Sequence, residues 1–179
     1  MTVQLTPERM NKVKLACDKL LKEDQCTIQN LEKVIGLIIS SFQGVEYGPL
    51  HHRSLEYDKT QALVASRVNF SPLCTLSEKS KLDLQWWLCN VASSYNHISH
   101  GNPDIVLQAD ASCQGWGGVR HEQRTGGRWA KEEASHHIKY LELLAIKSLG
   151  ATCSNCHIQV QCDNTTPIGC VNNTGGSKS

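Results

Sequence analysis

Three carboxylates in this sequence stand where a charge is expensive. Asp110 closes the run Ile105-Val-Leu-Gln-Ala, Asp163 closes Ile158-Gln-Val-Gln-Cys, and Glu142 interrupts Ile138-Lys-Tyr-Leu-Glu-Leu-Leu-Ala-Ile146. Glu142 has Leu141 and Leu143 beside it, Ile138 one helical turn before it and Ile146 one turn after. An ionised carboxylate on such a face is costly unless it is paired or ligates a cation. Asp110 and Asp163 cannot relieve Glu142 by themselves, because like charges at close range raise one another's pKa. A divalent cation can. An oxygen-only donor set with open positions selects Mg2+, with Mn2+ as the substitute, over zinc. Facing a phosphodiester, such a centre suits two-metal hydrolysis, with one ion preparing a water and the other stabilising the leaving oxygen, about 3.5–4 Å apart. Asp163 also has a plainer reading, since an aspartate before Asn-Thr-Thr suits a helix N-cap.

The elements that must position these groups are α/β in texture. Ile105–Asp110 reads as a strand, followed by strands over Trp116–His121 and Gly127–Ala130 with Gln123-Arg-Thr-Gly-Gly as the hairpin turn between them. Ile138–Leu149 reads as a helix ended by Gly150, Ile158–Cys162 as a strand, and Asp163-Asn164-Thr165 as the start of a further helix. A three-strand meander, a crossover helix and a strand parallel to the first make a mixed sheet. That arrangement brings the ends bearing Asp110 and Asp163 side by side.

The preceding chain reads as helical. Thr6 caps a helix with Pro7 at its first position, running to Lys22; a second starts at Thr27 and stops near Gly44. Gly48-Pro49 marks a turn, and Leu50–Leu63 suits a third, more polar helix carrying His51, His52, Arg53 and Lys59. Thr75-Leu-Ser77-Glu opens a fourth, in which adjacent Trp86 and Trp87 must point different ways, one inward and one over a neighbouring surface. The polar stretch from Asn96 to Pro103 sets a boundary. The organisation expected is a helical unit over 1–66, a connecting segment with the Trp-Trp helix over 67–103, and an α/β domain over 104–179.

Other signals are weaker. Arg120, Arg124, Arg128 and Lys131 cluster around the hairpin and suit sequence-independent phosphate contacts. Glu122, Glu132 and Glu133 dilute them, so an ordinary solvated face fits equally. Cys153-Ser-Asn-Cys156-His157 matches a haem-attachment pattern or half a zinc site, with idle thiols as the plainer account. His136-His137 lack the i, i+4 spacing of a helical metal pair. With 40% apolar and 20% charged residues the chain can bury a core, and its net charge of +1 says nothing about partners. Nine cysteines without a disulfide rhythm, no basic-apolar leader and no apolar run of bilayer length set the expectation of reduced thiols in nucleus or cytoplasm. The Asn-x-Thr triplets at Asn164 and Asn172 accordingly carry little weight.

The combination Asp110-Ala-Ser with Gly115-Trp-Gly, His137-Ile-x-Tyr-Leu-Glu142-Leu-Leu-Ala, and Asp163-Asn-Thr-Thr followed by Gly175-Gly-Ser resembles the ribonuclease H domain of DIRS-like retrotransposon reverse transcriptases. Leu31-x-x-Val-Ile-Gly36-Leu-Ile, Ser41-Phe42, Gly48-Pro49-Leu50-His-x-Arg53 and Trp86-Trp87 resemble the thumb and connection before it. The resemblance implies hydrolysis of the RNA strand of an RNA–DNA hybrid with two magnesium ions, Asp110, Glu142 and Asp163 matching the first three acidic ligands. It also implies an upstream polymerase domain in a parent polyprotein, a thumb-like duplex contact involving His52 and Arg53, and a fourth acidic ligand beyond Ser179. Without that ligand, impaired cleavage is expected, and an inactive remnant that only binds nucleic acid is the alternative. No Tyr-x-Asp-Asp polymerase motif occurs.

Overall fold

The computed structural model describes residues 1–23, 25–99 and 101–172. Gly175-Gly-Ser, part of the family resemblance, lies outside them. The chain divides into two compact units, Met1–Ser99 and His100–Ser179.

The first unit is helical. After β1 (Thr2–Val3) comes α1 (Pro7–Lys22), then β2 (Cys26–Thr27), α2 (Ile28–Ile39), two 3-10 turns (Phe42–Gly44 and Gly48–Leu50), α3 (Arg53–Ala65), β3 (Leu73–Cys74), α4 (Glu78–Asn90) and β4 (Asn96–His97). Local chemistry sets the helix starts. Thr6, Thr27 and Ser77 each accept a hydrogen bond on the side-chain oxygen from the backbone N–H three residues on, at 3.3, 3.2 and 3.3 Å. α2 stops at Ile39, earlier than Gly44, because Ser40 Oγ and Ser41 Oγ bond back to the carbonyls of Gly36 and Leu37 and close the last turn. α3 begins at Arg53 and not at Leu50. The Gly48–Leu50 turn holds His51, and His52 has extended φ, so both histidines precede the helix. One apolar cluster, centred on Leu31, Ile35, Leu55, Leu84 and Trp87, unites α1 through α4.

The second unit contains β5 (Ile105–Ala111), β6 (Gly115–Arg120), β7 (Gln123–Arg128), α5 (Lys131–Ala134), α6 (Ile138–Gly150), β8 (Ile158–Gln161) and α7 (Thr165–Asn172). Its sheet has the order β7-β6-β5-β8, antiparallel except for the β5–β8 pair, which is parallel. This is the expected mixed sheet, with the connectivity of a partial ribonuclease H-like fold.

The hairpin differs from expectation. Gln123-Arg-Thr-Gly-Gly is not the turn: all five residues belong to β7, and the turn is His121-Glu122, with His121 at φ +53°. Gly126 is needed in the strand, since a Cβ there would stand 2.6 Å from the Trp116 carbonyl oxygen. β7 ends at Arg128, and Trp129 turns into the core, its indole N–H donating to the Ser112 carbonyl at 2.7 Å.

α6 covers one sheet face only. Leu107 and Ala109 of β5 pack against Leu149, with Ile146, Ile158 and Val160 around them, while Leu141 and Ala145 meet Trp129. Gly118 lets the helix approach, because a Cβ at that position would lie 2.7 Å from a Leu149 methyl.

Candidate functional site

The parallel register determines where two of the three carboxylates stand. Ile105 pairs with Ile158 and Gln108 with Gln161, a constant offset along the ladder. The paired ladder ends at Gln108 and Gln161; Asp110 follows two residues on within β5, and Asp163 lies two residues past the end of β8. Asp110 is still within β5, opposite Gly117 of β6, and its Oδ1 accepts from the Ala111 N–H at 2.8 Å. Asp163 follows β8 and is exposed. The N-cap reading of Asp163 is not what the structure has. Asn164 Oδ1 accepts the Thr166 N–H at 2.9 Å at the start of α7, which leaves Asp163 outside that role.

Glu142 comes from the N-terminal half of the crossover helix α6, whose start is fixed by His137, its Nδ1 accepting from the Lys139 N–H at 3.2 Å. Glu142 Oε2 is buried and has no hydrogen-bond partner among the described residues. An orphaned carboxylate oxygen of this kind is costly and calls for a proton donor or a cation. Glu142 and Asp163 share a neighbour in Cys162. Its thiol is pushed up chiefly by burial, against a hydrogen bond to the Asn164 carbonyl that lowers it, and then by the charges of Glu142 and Asp163.

The structure thus places Asp110 and Asp163 beyond the same end of the parallel ladder, and Glu142 and Asp163 within electrostatic reach of the Cys162 thiol. It does not gather all three. Alternation along β5 sends Leu107 and Ala109 toward α6 and Asp110 to the opposite, open face. Among the described residues no group of three His, Cys, Asp or Glu side chains stands close enough to hold a metal ion. In donor type the residues fit a hard divalent cation, and the partnerless Glu142 Oε2 is the observation that favours one.

The cationic residues separate by face. Val119 pairs with Arg124 and Gly115 with Arg128, which sets both arginines on the open face with Asp110. Asp110 and Arg124 border one shallow hollow with Gln108 and Val119, and Asp110 and Arg128 border another with Ser112. Arg120 pairs with Leu107 and so belongs to the α6 side, while Lys131 is exposed in α5. The open face was not evident from the sequence, though the alternation of Gln108 with Asp110 and of Arg124 with Arg128 carries its signal.

In the helical unit, His52 is not a surface cation. It is 4% exposed, its Nδ1 lies 2.9 Å from the Pro49 carbonyl, and its ring packs edge-on against Phe42. Burial pushes its pKa down, against the weaker upward pull of Glu56. Arg53 is exposed, 3.7 Å from Glu56. Trp87 is fully buried and donates its indole N–H to the His51 carbonyl at 2.7 Å, and Trp86 stacks on the His51 ring at 4.0 Å. The tandem tryptophans therefore divide as expected.

Near the other end of β8, the Cys153-Cys156-His157 segment is tied down by Asp104, whose Oδ2 accepts the His157 N–H at 2.7 Å. No helix among the described residues is long and apolar enough to cross a membrane.

No protein-family model matches the chain, and no curated protein matches it. Among solved structures, the foamy viral protease-reverse transcriptase dRH in complex with double-stranded DNA is similar at 13% identity and a TM-score of 0.41, over 90% of this chain and 28% of that one. The foamy viral protease-reverse transcriptase in complex with an RNA/DNA hybrid is similar at 12% identity and 0.41, over 89% of this chain and 22% of that one. The same viral protein in complex with double-stranded DNA gives 12% and 0.39, over 90% and 34%. The chain spans about a third or less of the length of these proteins.

Proposed function

We propose that the α/β unit is a ribonuclease H-like module of DIRS-like retrotransposon origin that hydrolyses the RNA strand of RNA–DNA hybrids. Asp110, Glu142 and Asp163 would hold Mg2+, or Mn2+ in its place. What supports this reading is that Asp110 and Asp163 both follow the paired stretch of adjacent parallel strands, with a Glu142 oxygen that is buried and without a hydrogen-bond partner among the described residues on the helix that connects them. A bound divalent ion would supply Lewis-acid activation at the phosphodiester. The chain's own residues have simpler tasks. The three carboxylates provide the anionic oxygens, and Arg124 and Arg128, about 13 Å apart along β7, meet the nucleic-acid backbone. On this reading the module works within a polyprotein behind a polymerase domain.

A second reading is a nucleic-acid-binding module without turnover. It is favoured by the absence, among the described residues, of three gathered donors. A hybrid with a labelled RNA strand, incubated in Mg2+, in Mn2+ and in chelator, separates the two. Metal-dependent cleavage that disappears in Asp110→Asn, Glu142→Gln and Asp163→Asn supports the nuclease. Retained hybrid binding without cleavage in either metal supports the binding module. For both, replacing Arg124 and Arg128 by Ala should weaken binding and flatten its log–log salt slope by about 1 per arginine. A protein that neither binds nor cleaves the hybrid sinks both readings.

A further inference from the structure

Cys26 and Cys74 face each other across the short antiparallel pair β2–β3, in direct register. Their sulfurs are 3.8 Å apart, and the residues are 3% and 8% exposed. The junction extends past the strands, since Ile28 N–H donates to Pro72 O at 3.1 Å and Gln29 N–H to Phe70 O at 3.0 Å. This knot holds the α1–α2 corner to the segment leading into α4. We infer that Cys26 and Cys74 are a cryptic disulfide site, whose closure locks the helical unit across the segment that holds α2 and α3.

The geometry needs little change. Bonded sulfurs lie roughly 2.05 Å apart, so the two must approach by about 1.8 Å, within reach of side-chain rotation on a directly opposed strand pair. The bridge would enclose all of α2 and α3, and cross-links over long loops restrict the unfolded chain most. Burial explains why the site is cryptic. It pushes the Cys26 thiol up to about 12 and the Cys74 thiol up as well, so the attacking thiolate is scarce while the strands stay closed. Local opening exposes one thiol, which gives its proton to solvent and attacks a low-molecular-weight disulfide such as oxidised glutathione. The reagent S–S bond breaks, one glutathione leaves, and a mixed disulfide forms. The second cysteine loses its proton and attacks the protein sulfur of that mixed disulfide, expelling the second glutathione. Two thiols are oxidised by two electrons and one reagent disulfide is reduced to two thiols. The Cys153/Cys156 pair, half-buried in the α/β unit, serves as an internal comparison.

The test is oxidation of the full chain in a glutathione buffer, with and without sub-denaturing urea, followed by thiol titration, non-reducing peptide mapping and urea unfolding. The expected result is a linked Cys26–Cys74 peptide, formed faster in dilute urea, and an unfolding midpoint moved to higher urea and restored by dithiothreitol. Cys26→Val and Cys74→Val keep an apolar side chain at each position. Each should fold by circular dichroism and lose the oxidation-dependent midpoint shift, whereas a Cys153→Ser, Cys156→Ser double variant should keep it. The inference is overturned if Cys26 and Cys74 stay free or end only as glutathione adducts, if the bridge forms without raising the midpoint, or if Cys26→Val still shows the shift.

Discussion

In the helical unit, apolar residues from four helices and two short strands merge into one buried cluster, with Trp87, Leu31, Ile35, Ile38 and Leu55 excluded from solvent. In the α/β unit the buried residues form two small clusters, Leu107–Ala109–Leu149 and Trp129–Leu141–Ala145, both on the α6 side of the sheet. The opposite face stays open and carries Gln108, Asp110, Arg124, Arg128, Gln159 and Gln161. One unit spends its residues on a continuous core. The other keeps a one-sided core and leaves a polar face, with carboxylates at its edge, available for chemistry. The difference predicts where each unit is vulnerable: the first to loss of volume, the second to loss of close approach.

The largest effect should come from Trp87→Ala. It removes a fully buried indole that Gly48 was kept small to admit and that donates to the His51 carbonyl, and should cost about 3–5 kcal/mol. Urea unfolding followed separately in each unit should show the loss in the helical unit alone, and a loss shared equally would contradict the division. Gly118→Val should cost less, about 1–3 kcal/mol, because its Cβ would meet Leu149 where the helix seats on β6. Thermal melts should show the α/β unit weakened, and an unchanged midpoint would mean that α6 can lift off the sheet freely.

The smallest effect is a pH dependence of the helical unit through His52. Its pKa is held down in the folded state by burial, so the unfolded chain takes up the proton first as pH falls. The stability contribution is therefore full above the ordinary histidine value of roughly 6.5 and is lost progressively as pH drops through it toward the folded value. Midpoints measured between neutral and mildly acidic pH should fall for the wild type and flatten for His52→Gln. An equal slope in both would remove His52 as the cause. The buried thiols act on the alkaline side. Cys17 and Cys26, raised to about 12 chiefly by burial, contribute stability below the ordinary thiol range that is lost as pH rises through the folded value.

Much of this was legible from residue order because it rests on local chemistry. Thr6, Thr27 and Ser77 cap helices with their own hydroxyls, Pro7 suits a first helical turn, and the alternating Ile158-Gln-Val-Gln can only present one apolar face. The β5–α6–β8 crossover and its parallel strand pair followed from element order. What failed were the positions decided by how an element seats against its neighbours and not by residue type. Gln123–Gly127 has the composition of a turn, yet it pairs along β6 because Trp116 leaves room only for glycine beside it. His52 has the charge pattern of a surface cation, yet Phe42 and the Gly48–Leu50 turn enclose it.

The three carboxylates show both sides of that boundary. Their residue types and their strand-end and mid-helix positions belong to the sequence, since each depends only on near neighbours. That α6 covers the sheet face away from Asp110, and that Glu142 Oε2 is left without a partner among the described residues, were decided only in three dimensions. The β5–β8 pairing and the seating of α6 on the sheet are set by groups dozens of residues apart.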